Sequence, residues 1–239
     1  MTLPGRTNGR WSLRPTGRGM ARMRKSKWFI AGLLCAALVP AAASAQRIRD
    51  FEDSWFWGVK GGVSTFSPTL GSSENAATYG VEWLVTRTHG ALYLSLDQSN
   101  VAAFSAVFDP SADGGSRAVR VNKLRRVGFA ALAFPRRFGQ LRPYAGLGLT
   151  LNVIGEAVPL ISETESELDD TVFDRVDERR TQSAFLGMAG VQAQFHRAAV
   201  FVQASVAPTS SRFLLSDSSL GFFEAGVRYN FSGSREGLR

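Results

Sequence analysis

Residues 145–153 read Ala-Gly-Leu-Gly-Leu-Thr-Leu-Asn-Val. In an extended chain Leu147, Leu149, Leu151 and Val153 fall on one side, and Gly146, Gly148, Thr150 and Asn152 on the other. This alternation has the period of a β-strand; apolar positions in a helix recur every three or four residues. The second side is the informative one. A sheet face turned to water carries many Lys and Glu side chains. Here it carries glycine, hydroxyls and an amide. A continuous apolar face opposite small polar residues fits a strand with lipid on one side and a narrow enclosed interior on the other.

The same two-faced pattern recurs along the chain. Near Trp55–Phe66, the side of Trp55, Trp57, Val59 and Val63 opposes Gly58, Lys60, Gly62 and Ser64. Near Ala77–Arg87, Tyr79, Val81, Trp83 and Val85 oppose Gly80, Glu82 and Thr86. From Ala91, Leu92, Leu94 and Leu96 oppose Tyr93, Ser95 and Asp97, and this strand continues through a bulge toward Phe108. The fourth strand, near Ala118–Phe134, has Val127, Phe129, Ala131 and Ala133 on one face; the fifth is Arg142–Ile154. In Gln182–Phe195, Phe185, Ala189, Val191, Ala193 and Phe195 oppose Gly190, Gln192 and Gln194. In Ala198–Ala207, Val200, Val202 and Val206 oppose Gln203 and Ser205. In Leu220–Phe231, Phe223, Ala225, Val227, Tyr229 and Phe231 oppose Glu224, Gly226, Arg228 and Asn230. The count is eight, rising to ten if the extensions of strands three and four are independent.

Connections near Thr88–Gly90, Pro135–Leu141 and His196–Arg197 read as short turns; those near Ser67–Ala76, Asp109–Arg117, Gly155–Arg180 and Pro208–Ser219 read as longer loops. Turns on one side and loops on the other are the habit of outer-membrane barrels, with the turns and both ends of the barrel in the periplasm. A bilayer leaves stray backbone groups without partners, so strands cross it only as a closed barrel. The fold expected is all-β: an eight-stranded antiparallel transmembrane up-and-down barrel preceded by a cleavable signal peptide. Trp55 and Trp57 at one end of strand one, and Phe223, Tyr229 and Phe231 on strand eight, suit interfacial aromatic girdles.

The leader has the parts of a secretory signal: a basic Met20–Lys27, an apolar Trp28–Val39, and Ala43-Ser44-Ala45 as a small-x-small cleavage site. Residues 1–45 are read as N-terminal extension and signal, 46–231 as the barrel, and 232–239 as a short periplasmic tail. The competing reading, a membrane anchor, needs the Ala/Ser tail of the apolar run to reach spanning length. Met20 or Met23 is a candidate initiator. Cys35 is the one cysteine, and Leu34 before it is too large for a lipoprotein signal. The formal charge of +8 belongs to the leader, which holds eight of the 28 basic residues and no acid. The rest balances 20 basic against 20 acidic residues, so no nucleic-acid footprint is read.

The ending Gly226-Val227-Arg228-Tyr229-Asn230-Phe231 resembles the closing strand of bacterial outer-membrane barrels, which alternates apolar residues and ends on an aromatic. In architecture, residues 51–231 resemble the small barrels of the OmpA and OmpX type. The resemblance implies that Val227, Tyr229 and Phe231 form the C-terminal assembly signal read by the barrel-assembly machinery. Many members stop at the aromatic, whereas here Ser232–Arg239 follow it.

Lys60, Glu82, Glu224 and Arg228 all fall on the inward face. Strands one and eight become neighbours on closure, so a lumenal cluster is expected in which Lys60 pairs with Glu82 and Glu224, with Arg228 nearby. Its plain role is to fill the lumen without leaving an unpaired charge; its sharper role is a gate in a small pore. Residues 156–178 hold nine acids and one base, Arg175. Their spacing is not that of a calcium loop, and they read as a solvated loop or as a surface for a cation or partner. The basic upper half of strand four, Arg117, Arg120, Lys123, Arg125 and Arg126, suits lipopolysaccharide phosphates or plain solvation. His89 and His196 fall in turns, and neither has the His-x-Ser-Asn context of barrel lipid A deacylases. No catalytic triad, metal site or phosphate loop is placed, and no cofactor is expected.

The function expected is therefore a non-enzymatic outer-membrane barrel with a structural or surface-interaction role. Its partners are outer-membrane lipid and lipopolysaccharide, the assembly machinery during biogenesis, and a surface ligand that the sequence does not name. Two alternatives stand beside it: a narrow channel for small solutes, and a soluble periplasmic barrel holding an apolar ligand.

Overall fold

The computed structural model describes residues 54–231, apart from residues 69, 71, 113, 161–169, 196, 211, 212 and 217. The leader with Ala43 and Ala45, Cys35, His196, the loop acids Glu163, Glu165, Glu167 and Asp169, and residues 232–239 lie outside the described residues.

The chain forms β1 (Trp55–Phe66), β2 (Glu74–Thr86), β3 (Gly90–Phe108), β4 (Ser116–Ala133), β5 (Leu141–Pro159), a helix α1 (Asp170–Glu178), β6 (Thr181–Phe195), β7 (Ala198–Pro208) and β8 (Ser219–Asn230). Each strand pairs antiparallel with the next, and β8 pairs with β1 to close the barrel. Paired residues followed once around run from Trp55 through Val85, Leu92, Ala131, Leu147, Gly187, Val206 and Gly221 back to β1 at Thr65. Closure thus staggers the sheet and tilts the strands by about 40°.

The outward face is apolar on every strand, including Val59, Val81, Leu92, Phe129, Leu147, Phe185, Val202 and Phe223. Leu147 is 77 % exposed and Phe185 75 %. Soluble proteins do not leave a continuous belt of such residues uncovered; a bilayer covers it. Aromatics rim the belt. At the short-turn end Trp83 stacks on Trp57 at 6.0 Å and meets Trp55 edge-on at 5.5 Å, while Tyr229 contacts Phe231 at 4.8 Å. Tyr79, Phe185 and Phe223 stand toward the other rim.

The expected eight strands and the bulge are there: β3 and β4 are each one continuous strand, the count among the described residues is eight, and the register slip is shared by β3, β4 and β5. Two features differ from the sequence reading. First, β5 runs to Pro159, and the polar stretch after it contains α1, whose Val172 and Val176 are buried. Second, the connection at 134–140 is as long as those at 67–73 and 109–115. The end-to-end asymmetry comes from 160–180 and 209–218 against 87–89 and 196–197, and from the extra length of β3, β4 and β5.

The bulge inverts β4. Below it, toward the short turns, Leu124, Arg126 and Ala130 point inward; above it, Arg117, Val119 and Val121 do. One extra residue in a strand exchanges its two faces. The lumen is consequently layered, not uniformly polar as the alternation predicted. Phe56, Leu84, Leu132, Phe134, Leu186 and Met188 fill the short-turn end. Charges occupy the middle. Val101, Val119, Val121, Leu124, Ile154 and their neighbours fill the long-loop end. There Val172 and Val176 of α1, and Phe213, Leu214 and Leu215 of the last loop, pack onto them as a lid.

Candidate functional site

Among the described residues, six charged side chains meet in the middle of the lumen: Lys60, Glu82, Asp97, Arg126, Glu224 and Arg228. Glycines make room for them. Glu82 and Arg228 are both cross-strand neighbours of Gly58, and a Cβ there would lie 2.9 Å from Glu82 Cγ and 3.1 Å from Arg228 Cγ. Lys60 lies between Gly80 and Gly226. A Cβ on Gly226 would stand 2.3 Å from the Val59 carbonyl oxygen and 2.7 Å from the Phe201 ring. Long side chains thus alternate with bare backbone in a space too narrow for two long side chains abreast.

The charges form two linked groups. In the upper group Lys60 Nζ lies 2.9 Å from Asp97 Oδ1 and donates to Glu224 Oε2 at 3.0 Å and to the Tyr93 hydroxyl at 2.9 Å. Arg126 Nη2 reaches Asp97 Oδ2 at 2.7 Å and Glu224 Oε1 at 2.9 Å, and its Nη1 donates to Ser205 Oγ at 3.2 Å. In the lower group Arg228 Nε donates to Glu82 Oε1, and Nη1 to Gln192 Oε1 at 2.6 Å. Gln203 joins the two, donating to Glu224 at 2.9 Å and accepting from the Tyr144 hydroxyl at 3.0 Å. Aromatic faces cover the guanidinium groups: Arg126 lies 3.6 Å from the Phe222 ring centroid and Arg228 3.9 Å from that of Phe201. Three cations balance three anions, and each of the six side chains is at most 4 % exposed. The layer is therefore neutral and buried.

All four residues expected in the lumen are brought into this layer, with one change of partner. Glu82 pairs with Arg228 and not with Lys60, because the bare Gly58 between them opens the direct route. Asp97 and Arg126 were missed. The signal was present: Asp97 alternates with the outward Leu96, and Arg126 precedes the outward Val127, so the alternation itself points both inward. Of the five basic residues assigned to the outer surface of β4, Arg117 and Arg126 are buried, while Arg120, Lys123 and Arg125 face out; the bulge and the pleat divide them.

Val227 and Tyr229 face outward on β8, beside Val59 and Trp57 of β1 at the seam that closes the barrel, and Phe231 follows at the rim, 69 % exposed. His89 is an exposed turn residue whose carbonyl accepts from the Phe134 amide at 2.9 Å. At the tip of the β3–β4 hairpin, Asp109 accepts from Ser111 Oγ at 2.6 Å, the Ser111 amide at 2.9 Å and Arg117 Nε at 2.5 Å. The Ser111 hydroxyl first, and Arg117 after it, hold the Asp109 carboxyl down at about 2. On α1, Asp170, Asp174, Asp177 and Glu178 are exposed, and Arg175 donates to the Phe108 carbonyl at 2.9 Å.

No family model and no curated protein matches the chain. Solved structures do. Neisserial surface protein A aligns with a TM-score of 0.51 at 14 % identity, over 74 % of this chain and 97 % of that one. The attachment invasion locus protein Ail of Yersinia pestis aligns at 0.43 and 13 % identity, over 75 % and 99 %. The N-terminal β-barrel domain of Pseudomonas aeruginosa OprF aligns at 0.41 and 14 % identity, over 75 % and 98 %. By its closed antiparallel sheet, its stagger and its likeness to Neisserial surface protein A, the chain has the eight-stranded barrel fold of the small outer-membrane proteins.

Proposed function

We propose that this protein is a non-conducting, non-enzymatic barrel of a Gram-negative-type outer membrane, with a structural or surface-interaction role. Its short-turn end faces the periplasm, and α1 with the long loops faces outward. The leader exports the chain and is cleaved after Ala45; the assembly machinery reads Val227, Tyr229 and Phe231. The observation that carries this reading is the pairing of a lipid-compatible exterior with a lumen filled from end to end. Residues that would line a channel are committed to one another: Lys60 to Asp97 and Glu224, Arg228 to Glu82. That arrangement offers ions no hydrated path, and its apolar layers hold side chains in place of a ligand. The surface placement of the long-loop end accords with the name of Neisserial surface protein A.

The test expresses the chain from Met20 in a Gram-negative host, fractionates the envelope, and compares boiled with unboiled samples by gel electrophoresis. Outer-membrane recovery and a band that shifts on boiling are expected, together with no single-channel conductance in planar bilayers. Steady conductance steps would replace this reading with the narrow channel. Soluble periplasmic protein without a shift would replace it with the ligand-binding barrel.

A further inference from the structure

The outer wall of β1–β4 is not a uniform lipid surface. An open groove of about 580 Å³ runs over it. Its sides are the outward Val59, Val81, Leu96 and Val127, with the bare backbone of Gly80 in its floor. Its upper rim is polar: Gln98 Nε2 donates to the Tyr79 hydroxyl at 2.7 Å, and Arg125 completes the cross-strand row Tyr79, Gln98, Arg125. Because the stagger lifts each successive strand by about one residue, Arg125 stands slightly higher than Tyr79, at the rim where the belt ends. Above it on the same outward face come Lys123 and Arg120, both exposed and turned out by the bulge.

These cations are poorly neutralised. No carboxylate of a described residue pairs with Arg125 or Arg120; Arg120 lies over the Phe104 ring at 5.6 Å. Lys123 meets Glu156 at 3.8 Å with both side chains about half exposed, a geometry of little net attraction. An apolar groove in the wall, a hydrogen-bonding rim at the edge of the belt and a ladder of three cations above it match one chemistry: an acyl chain below and phosphates above. A single phospholipid phosphate would engage Arg125 alone, whereas the ladder continues upward through Lys123 and Arg120.

We propose that this face is a site for the phosphorylated glycolipid of the outer leaflet, the lipid A portion of lipopolysaccharide. An acyl chain lies in the Val59–Val81–Leu96–Val127 groove, one phosphate binds Arg125 beside Gln98 and Tyr79, and further phosphate is held by Lys123 and Arg120. Arg suits this role because its planar fork takes two phosphate oxygens at once. The inference rests on the outward placement of the long-loop end proposed above.

The test places the processed chain in phosphatidylcholine nanodiscs doped with diphosphoryl or fully dephosphorylated lipid A. The glycolipid retained after detergent exchange is counted by mass spectrometry. The wild type is expected to prefer the diphosphoryl form by about a hundredfold, since each basic group near an anionic lipid surface contributes about fivefold. R120Q/K123Q/R125Q should abolish the preference, and Arg136→Gln at the short-turn end should leave it intact. Leu96→Trp, which fills the groove and keeps the ladder, should lower retention of both forms. Each variant is first shown to keep the boiling shift. Equal retention of the two forms by wild type, or an undiminished preference in the triple variant, overturns the proposal. Displacement by an equal amount of phosphatidylglycerol overturns the assignment to glycolipid. A wild-type protein that does not insert overturns the outer-membrane reading along with it, whereas insertion without preference overturns this inference alone.

Discussion

Below the row of Tyr79, Gln98 and Arg125 the wall is apolar outside and faces the charged middle of the lumen inside; above it the outward face of β4 is basic and the interior is largely apolar. In the belt, Val81, Leu96 and Val127 face out while Lys60, Asp97 and Arg126 face in. Above it, Arg120 and Lys123 face out while Val119, Val121 and Val101 are buried under α1. The length of the strands explains the change of solvent. The 19 residues of β3 rise by roughly 48 Å along a barrel axis at ordinary rise and tilt, about twice the height of an apolar belt. The upper part of β3–β5 therefore stands in water and folds as a soluble protein does, with an apolar core. The β4 bulge at Asn122 and Lys123 is the device that joins the two regimes. With unbroken alternation from Leu124, Arg120 would point into the lumen and Val119 and Val121 to the outside. One inserted residue puts each on the side that its chemistry requires.

The sharpest way to break this comparison is to exchange the two faces of the upper strand with V119R/R120V. The change sets an arginine side chain into the apolar layer, where burying an unpaired charge costs more than the site can supply. The upper half of β4 and the lid should lose their structure, read as rapid proteolysis at α1 and in the 209–218 loop. The belt, whose residues keep their faces, should retain its boiling shift. Loss of the boiling shift would show instead that the two regimes are not separable.

Next in size is the charge layer. Arg228→Leu leaves Glu82 without its partner in a dry lumen, and breaking a buried pair in this way costs about 3–5 kcal/mol. The midpoint of unfolding by urea in detergent should fall accordingly. R228L/E82L should recover most of the loss, because two apolar side chains leave no charge stranded. If the double variant is as unstable as the single one, Arg228 acts mainly through Gln192 and the Phe201 ring. The lid should respond more mildly. Val172→Ala and Val176→Ala each remove two buried methyl groups, worth about 1.5 kcal/mol apiece. They should loosen α1 in hydrogen exchange without moving the midpoint of the barrel.

The difference between the regimes also decides what could be read from sequence. The belt was legible almost residue by residue, β1 at both ends, because lipid and lumen impose opposite demands on neighbouring residues. The middle of the lumen was half legible. Alternation pointed Lys60, Glu82, Glu224 and Arg228 inward, yet their pairing depends on which bare glycine lies between them, a matter of register. The upper regime was hardest. A bulge reverses faces without a composition change, so Arg120 and Arg126, which share a face in an unbroken strand, end one exposed and the other buried. The amphipathic pattern of α1 amounts to Val172 and Val176 within an acid-rich run, too little apolar surface to stand out until the barrel supplies the matching face.

The smallest effect expected lies at the hairpin tip, where Asp109 ties Ser111 to Arg117 above both regimes. Its carboxyl is held at about 2 in the folded protein, against an ordinary 3.8. A depressed folded value means that the unfolded chain takes up its proton first. The contribution of Asp109 is thus complete above pH 3.8, declines as pH falls, and is gone once the folded carboxyl titrates near 2. The carboxyl carbon shift of Asp109, followed by NMR, should titrate near 2. Ser111→Ala and Arg117→Gln should each raise that midpoint, since the hydroxyl and the guanidinium both hold the carboxylate. A midpoint that neither variant moves would remove these two contacts as its cause. The fold also uses Arg117 to tie the tip to the Leu160 carbonyl, 2.9 Å from its Nη1, so the hairpin tip joins a hydrogen-bonded turn to a charge pair.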